Sequence, residues 1–198
     1  MNEAFVRHPR PTTRAAEGLP RWSWSVSEIE RLSAGGYFRD DDRFELVGGE
    51  IVPMSPKGRR HELIRGAFAY RFTRAAPESV FVISEPQFNL AEDTYTVPDV
   101  LVHPTAIKTP DVRGEDALLV VEVAETSLAY DRGMKARLFA FHGVREYWVI
   151  NAATLVTAVH TGPSTAGYRG IKEIGPGEAL SPSLVPALAI SLAAIDVD

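Results

Sequence analysis

Apolar positions along the chain follow two periods. Over residues 59–75, Leu63, Ala67 and Tyr70, with Ile64, Phe68 and Phe72, fall at helical spacings and Pro77 follows, so an amphipathic helix is expected there. Phe44-Glu45-Leu46-Val47 and Glu50-Ile51-Val52-Pro53-Met54 flank Gly48-Gly49, a pair that tolerates positive φ at both turn positions, and together they predict a β-hairpin. Upstream, Ser25 or Ser27 can cap a short helix to about Leu32, with Glu28 or Glu30 completing a capping box and Gly35-Gly36 ending it. Strands are expected at about 80–84, 86–91, 94–103 and 117–124. The last of these is the most hydrophobic and should lie centrally in its sheet. A helix over 131–142 closed by Gly143, strands at 146–151 and 155–161, and one or two more in a Pro/Gly-rich C-terminal part complete the pattern. This order predicts an α/β (α+β) fold: a mixed central β-sheet flanked by helices, with an N-terminal β-hairpin. Residues 1–20, rich in Arg, Pro, Thr and Glu, read as a flexible tail ahead of one domain over 21–198.

Two acids break the pattern. Asp99 stands in Thr96-Val97-Pro98-Asp99-Val100-Leu101-Val102, and Glu122 in Leu118-Leu119-Val120-Val121-Glu122-Val123. A carboxylate in such apolar surroundings loses its water and must be paired or bind a metal. Glu122 alone could be a buried acid satisfied by a nearby Arg, and Asp99, after Pro98, could cap a strand bend. Together they suit Mg²⁺ or Mn²⁺, which keep several waters and take one or two carboxylates, with the Val123 carbonyl as a further donor. On the following helix Asp131, Lys135 and His142 form one polar stripe at about 100° per residue, bordered by Phe139 on one side and Leu138, Met134 and Phe141 on the other. Such a stripe faces a cleft, or it is an Asp131–Lys135 surface pair. In the cleft reading Lys135 would orient a water or stabilise charge on a phosphate.

The net charge of −5 argues against general adhesion to nucleic acid. A local excess exists: Lys57, Arg59, Arg60, Arg65, Arg71 and Arg74 stand against Glu62 alone between 57 and 74, a surplus of five, which could be a solvated helix face or a phosphate-binding patch. The absence of cysteine excludes disulfides and thiolate metal sites and fits a cytoplasmic location. No signal-like or membrane-spanning apolar stretch is present. The scattered histidines offer no i, i+4 zinc pair, and no G-x-S-x-G elbow, P-loop or G-x-G-x-x-G occurs. Asp40-Asp41-Asp42 lacks the rest of a calcium loop and reads as a solvated turn. Leu184, Val185, Leu188, Ile190 and Leu192 could cover a dimer interface or close the core.

Three stretches, RFELVGGEIVPMSP with His61 beyond it, VPDVLV, and LLVVEVAETSLAYDRGMKARLFAFHGVREYWVIN, resemble the Uma-type restriction-endonuclease family, long labelled a domain of unknown function, within the PD-(D/E)xK superfamily. The resemblance covers about residues 25–160. It implies a restriction-endonuclease-like sheet and a metal-dependent endonuclease that hydrolyses DNA phosphodiester bonds. Pro98-Asp99 matches the "PD" and Glu122 the "(D/E)". Ala124 stands where the superfamily lysine usually lies, and Lys135 matches a lysine relocated to the next helix. Glu45 matches an N-terminal acid that often completes such sites, and His61 a family histidine. Glu125-Thr126 departs from the Ser-Pro of many relatives. The resemblance thus implies Asp99, Glu122 and Lys135 as catalytic residues, and Mg²⁺ or Mn²⁺ held by Asp99, Glu122 and Glu45. Lys57, Arg59, Arg60, His61 and Arg65 would lie along the DNA backbone. Two-strand cutting implies a homodimer. The competing expectation is a catalytically inactive, nuclease-like module that binds nucleic acid or protein, since fold does not establish activity.

Overall fold

The structure, a computed structural model, describes residues 22–39 and 41–195. The expected tail over 1–20 lies outside the described residues, as does Asp40. The domain expected from residue 21 onward is described as two compact units. One comprises the described residues up to Met54 with Glu92–Thr94, and the other Ser55–Ala91 with the residues from Tyr95 onward.

In the first unit, α1 (Val26–Ala34) starts at Ser25, whose hydroxyl accepts from the Glu28 N–H while the Glu28 carboxylate accepts from the Ser25 N–H at 2.8 Å, the reciprocal box that the sequence suggested. Strands β1 (Phe44–Val47) and β2 (Glu50–Pro53) pair antiparallel with Val47 opposite Glu50. Gly48 and Gly49 take φ of +57° and +77°, as a two-residue hairpin turn requires. The two glycines differ in their surroundings. A Cβ on Gly48 would meet nothing within 4 Å, whereas one on Gly49 would lie 2.0 Å from Ser23 Oγ and 2.9 Å from its Cα. Gly49 also donates its N–H to the Asp93 carbonyl at 2.7 Å and accepts from the Trp24 N–H at 3.0 Å. Both Gly48→Ala and Gly49→Ala should cost about 1–2 kcal/mol for the left-handed backbone. Gly49→Ala should lower the urea midpoint further, through the overlap with Ser23. Equal midpoints would disprove the close approach.

The second unit is organised around a six-stranded sheet in the order β10-β9-β8-β7-β6-β3. Its strands are β3 (Val80–Ser84), β6 (Val100–Pro104), β7 (Leu119–Ala124), β8 (Glu146–Asn151), β9 (Thr157–Ser164) and β10 (Gly167–Ile174). Between β3 and β6 run β4 (Phe88–Ala91) and β5 (Thr94–Thr96). The continuous strand expected over 94–103 is thus broken at Val97-Pro98-Asp99, because proline has no N–H for a ladder. All neighbours in the large sheet pair antiparallel except β7 and β8, which run parallel. Their connection carries the helical segment that a parallel crossover needs.

The long helix α2 (Arg59–Ala75) forms where the periodicity placed it, and buries Ile64, Phe68 and Phe72 against Val100, Val121 and Trp148. On the opposite face Phe139 and Ala136 pack with Leu101, Val120, Tyr147 and Val149. Covered from both sides, every residue of β7 is buried, which is why its sequence is apolar throughout except for Glu122. The crossover begins earlier than its periodicity suggests. It comprises α3 (Leu128–Tyr130), a π-helical turn (Asp131–Lys135) and α4 (Ala136–Phe141), and the π turn shifts the helical phase so that Phe141 is exposed. The C-terminal apolar residues close the core: Val185, Leu188, Ile190 and Leu192 join the α2-side cluster beside β11 (Ala179–Leu180) and β12 (Ile190–Ser191), and Leu184 remains exposed. No helix among the described residues is long and apolar enough to cross a membrane.

Candidate active site

Asp99 immediately precedes β6, whose register sets Val100 opposite Val121 of β7. One further step in that register sets Asp99, at the entry to β6, opposite Glu122 of β7, so the two acids lie side by side as their spacing suggested. Both are buried, at 1% and 6% exposure.

Each carboxylate is held by the elements around it. Asp99 Oδ2 accepts from the Val123 N–H at 2.7 Å and from His61 Nε2 at 3.0 Å, and Oδ1 accepts from Lys57 Nζ at 2.6 Å. An ionised carboxylate only accepts, so His61 carries its proton on Nε2. Burial alone would raise the Asp99 pKa, but the His61 hydrogen bond and the Lys57 charge outweigh it and hold the carboxyl well below the usual range. Glu122 Oε1 forms an ion pair with Lys135 Nζ at 2.6 Å. Lys135 reaches it from the last position of the π turn and is itself buried. This π turn is anchored by Asp131, which accepts from Ser127 Oγ with its carboxylate and from Tyr147 Oη with its carbonyl.

A third acid joins this group, and sequence reasoning missed it. Glu85 follows β3 and accepts from Lys57 Nζ at 2.6 Å, so one ammonium bridges Glu85 and Asp99. Arg65 Nη1 lies 3.5 Å from the same carboxylate and also pairs with Glu62. Glu85 adopts φ of +52° directly before Pro86, and its N–H reaches the Asp99 carbonyl at 3.3 Å. A non-glycine residue in this region costs about 1–3 kcal/mol, and the surrounding contacts must hold it there. Its only sequence signal was an acid in Ser84-Glu85-Pro86, at the end of one apolar run and the start of another. Burial lowers the Lys57 pKa, and the charges of Asp99 and Glu85 more than reverse that.

Of the residues singled out from sequence, the structure brings Asp99, Val123, His61, Lys57 and Arg65 into one network and pairs Glu122 with Lys135. Val123 enters through its amide N–H. Glu45 lies buried on β1 of the first unit. Part of the basic stretch is tied to the protein's own groups: Arg60 Nε donates to the Ala152 carbonyl at 2.6 Å, Arg71 Nη2 donates to the Ala194 carbonyl, and the exposed Arg74 lies over the Tyr70 ring. Arg59, the first residue of α2, is exposed. Glu125, in the turn after β7, accepts from the Gly58 N–H at 3.1 Å and so ties that turn to the start of α2.

Comparison with curated proteins finds no match. Among solved structures, the chain is similar to one described as a "putative nuclease belonging to DUF820" from Anabaena variabilis. That match has a TM-score of 0.66 and 17% identity, and covers 85% of this chain and 95% of the other, a likeness of fold. A family model described as "putative restriction endonuclease" matches residues 26–194. Carrying the buried strand acids within that matched span, the chain belongs to the Uma2 family of nuclease-like proteins.

Proposed function

We propose that the protein is a metal-dependent endonuclease that hydrolyses DNA phosphodiester bonds in the cytoplasm. The observation that carries this reading is the pair of buried acids, Asp99 at the entry to β6 and Glu122 on the neighbouring β7, each facing a lysine ammonium at 2.6 Å. The donor chemistry fits Mg²⁺ or Mn²⁺. The acids offer only oxygen, and positions that hold an ammonium this closely favour positive charge. Mg²⁺ takes one or two protein carboxylates and completes its shell with water. Asp99 and Glu122 would hold it, with the Val123 carbonyl as a further donor in the proposal. When bound, the ion supplies positive charge at the scissile phosphate and makes a bound water more acidic.

The chain's own residues prepare the site around that ion. His61 and the Val123 N–H fix the Asp99 carboxylate and keep it ionised. Lys135, paired with Glu122 at the end of the π turn, would offer a dry positive charge to a phosphate that gains negative charge in the transition state. Arg59, with Arg60, Arg65 and Lys57 close by in sequence, would meet the DNA backbone. Such contacts are salt-sensitive and independent of sequence. A homodimer would supply the second centre for cutting both strands. The pairing of both acids with lysines supports a second reading, an inactive nuclease-like module that binds nucleic acid or protein.

Incubation of supercoiled plasmid and short single- and double-stranded DNA with Mg²⁺ or Mn²⁺ separates the two. Metal-dependent nicking that a chelator stops is the expected result. Binding of DNA without turnover in any metal would favour the module.

A further inference from the structure

We propose that Lys57 is a tethered counter-cation: it holds Asp99 Oδ1 until a divalent ion takes that place, and its ammonium then rests on Glu85. The inference rests on the metal-dependent reading above; it gives Lys57 a role at Asp99 and gives Glu85 a role that reading leaves out.

The two oxygens of Asp99 are held differently. Oδ2 accepts from the Val123 N–H and from His61, donors fixed by β7 and α2, whereas Oδ1 meets the ammonium of Lys57. Departure of Lys57 therefore frees one oxygen while the other two contacts keep the carboxylate in place. Lys57 is suited to leave. It lies outside any helix or strand, ahead of α2, and its side chain is 16% exposed against 2% for Asp99, so it covers the acid from the solvent side. Lys135, at the end of the π turn and 6% exposed, has no such freedom.

Glu85 is placed to receive the displaced ammonium. It already holds Lys57 Nζ at 2.6 Å, is 22% exposed, and has Arg65 at 3.5 Å. Its N–H on the Asp99 carbonyl pins the two acidic residues together at the backbone. Over Asp99, Glu85, Glu62, Lys57 and Arg65 the formal charge goes from −1 without the ion to +1 with it. With Lys57 in place, Asp99 and Glu85 face Lys57 and Arg65. With a divalent ion at Asp99, the two basic groups remain on Glu85 and Glu62.

Titration of the full chain with Mn²⁺, read by calorimetry or by the paramagnetic signal of free ion, tests this without reference to turnover. Lys57→Gln removes the competitor and should bind Mn²⁺ about tenfold more tightly than wild type, since a unit charge within about 4 Å of the site no longer opposes the ion. Glu85→Gln leaves Lys57 with Asp99 alone and should bind more weakly. The double variant should match Lys57→Gln. Equal or weaker affinity in Lys57→Gln overturns the proposal. So does a Glu85→Gln loss that persists in the double variant, which would make Glu85 a ligand. Should Lys57→Gln fail to fold, as urea unfolding would reveal, Glu85→Gln decides: affinity at or above wild type overturns the proposal. Binding lost in Glu122→Gln but equal in wild type and Lys57→Gln overturns the handover and spares the metal reading. Absence of Mn²⁺ binding in both wild type and Lys57→Gln overturns the two together.

Discussion

Glu122→Gln is expected to abolish metal-dependent cleavage and to destabilise the protein by about 3–5 kcal/mol, the usual cost of leaving one member of a buried ion pair without its partner. Lys135 is 6% exposed and faces Glu122 at 2.6 Å, so its ammonium would remain buried beside a neutral amide. The paired change Glu122→Leu with Lys135→Met should recover most of that stability, because apolar residues of similar volume replace a buried pair at little cost. It should not recover cleavage, since the carboxylate and the ammonium are both gone. Urea unfolding and plasmid nicking read the two effects separately. Were Glu122→Gln as stable as wild type, Lys135 would have found another acceptor, with Asp131 one turn upstream as the nearest on its own helical segment. Undiminished nicking in Glu122→Gln would place the catalytic centre elsewhere.

Asp99→Ala should be at least as damaging. It removes the common acceptor of Lys57 Nζ, His61 Nε2 and the Val123 N–H, of which the last two are buried. Truncation of a buried, paired carboxylate typically costs about 3–5 kcal/mol, and Lys57 can recover only part of that through Glu85. The effect has a defined pH dependence. The folded carboxyl is held below its unfolded value of about 3.9, so its contribution is complete above that pH and is lost as pH falls toward the folded value. Wild type should therefore lose stability on acidification through pH 4 more steeply than Asp99→Asn. Parallel stability curves for the two proteins would show that Asp99 is not held ionised by these partners.

The secondary structure was legible where one physical signal dominated. The period of Ile64, Phe68 and Phe72 marked α2 at its observed limits, and Gly48-Gly49 marked the hairpin because few other residues take positive φ twice in succession. Strand β7 was recognisable as central from its unbroken apolar character. Boundaries failed where competing local effects met: at Val97-Pro98-Asp99, where proline breaks the strand, and at Asp131–Lys135, where the π turn departs from a uniform period of 100°. The basic surplus over 57–74 was legible as charge, but not as charge partly engaged by the protein's own groups. Composition records that Arg60 and Arg71 are cationic, and only packing shows that backbone carbonyls of Ala152 and Ala194 receive them.

The same division holds at the candidate site. By itself the sequence determined that Asp99 and Glu122 must be compensated, because a carboxylate inside an apolar strand cannot keep its water. It also placed a lysine on the helix that follows. Which group compensates which acid was decided by tertiary structure alone. Lys57 is 42 positions from Asp99 and 28 from Glu85, and strand register and helix docking bring such groups within 2.6 Å. Glu85 carries no pattern of its own, being one acid in a turn. Its role exists only because β3, β6 and α2 converge there, and the spacing of residues along a chain contains no record of that convergence.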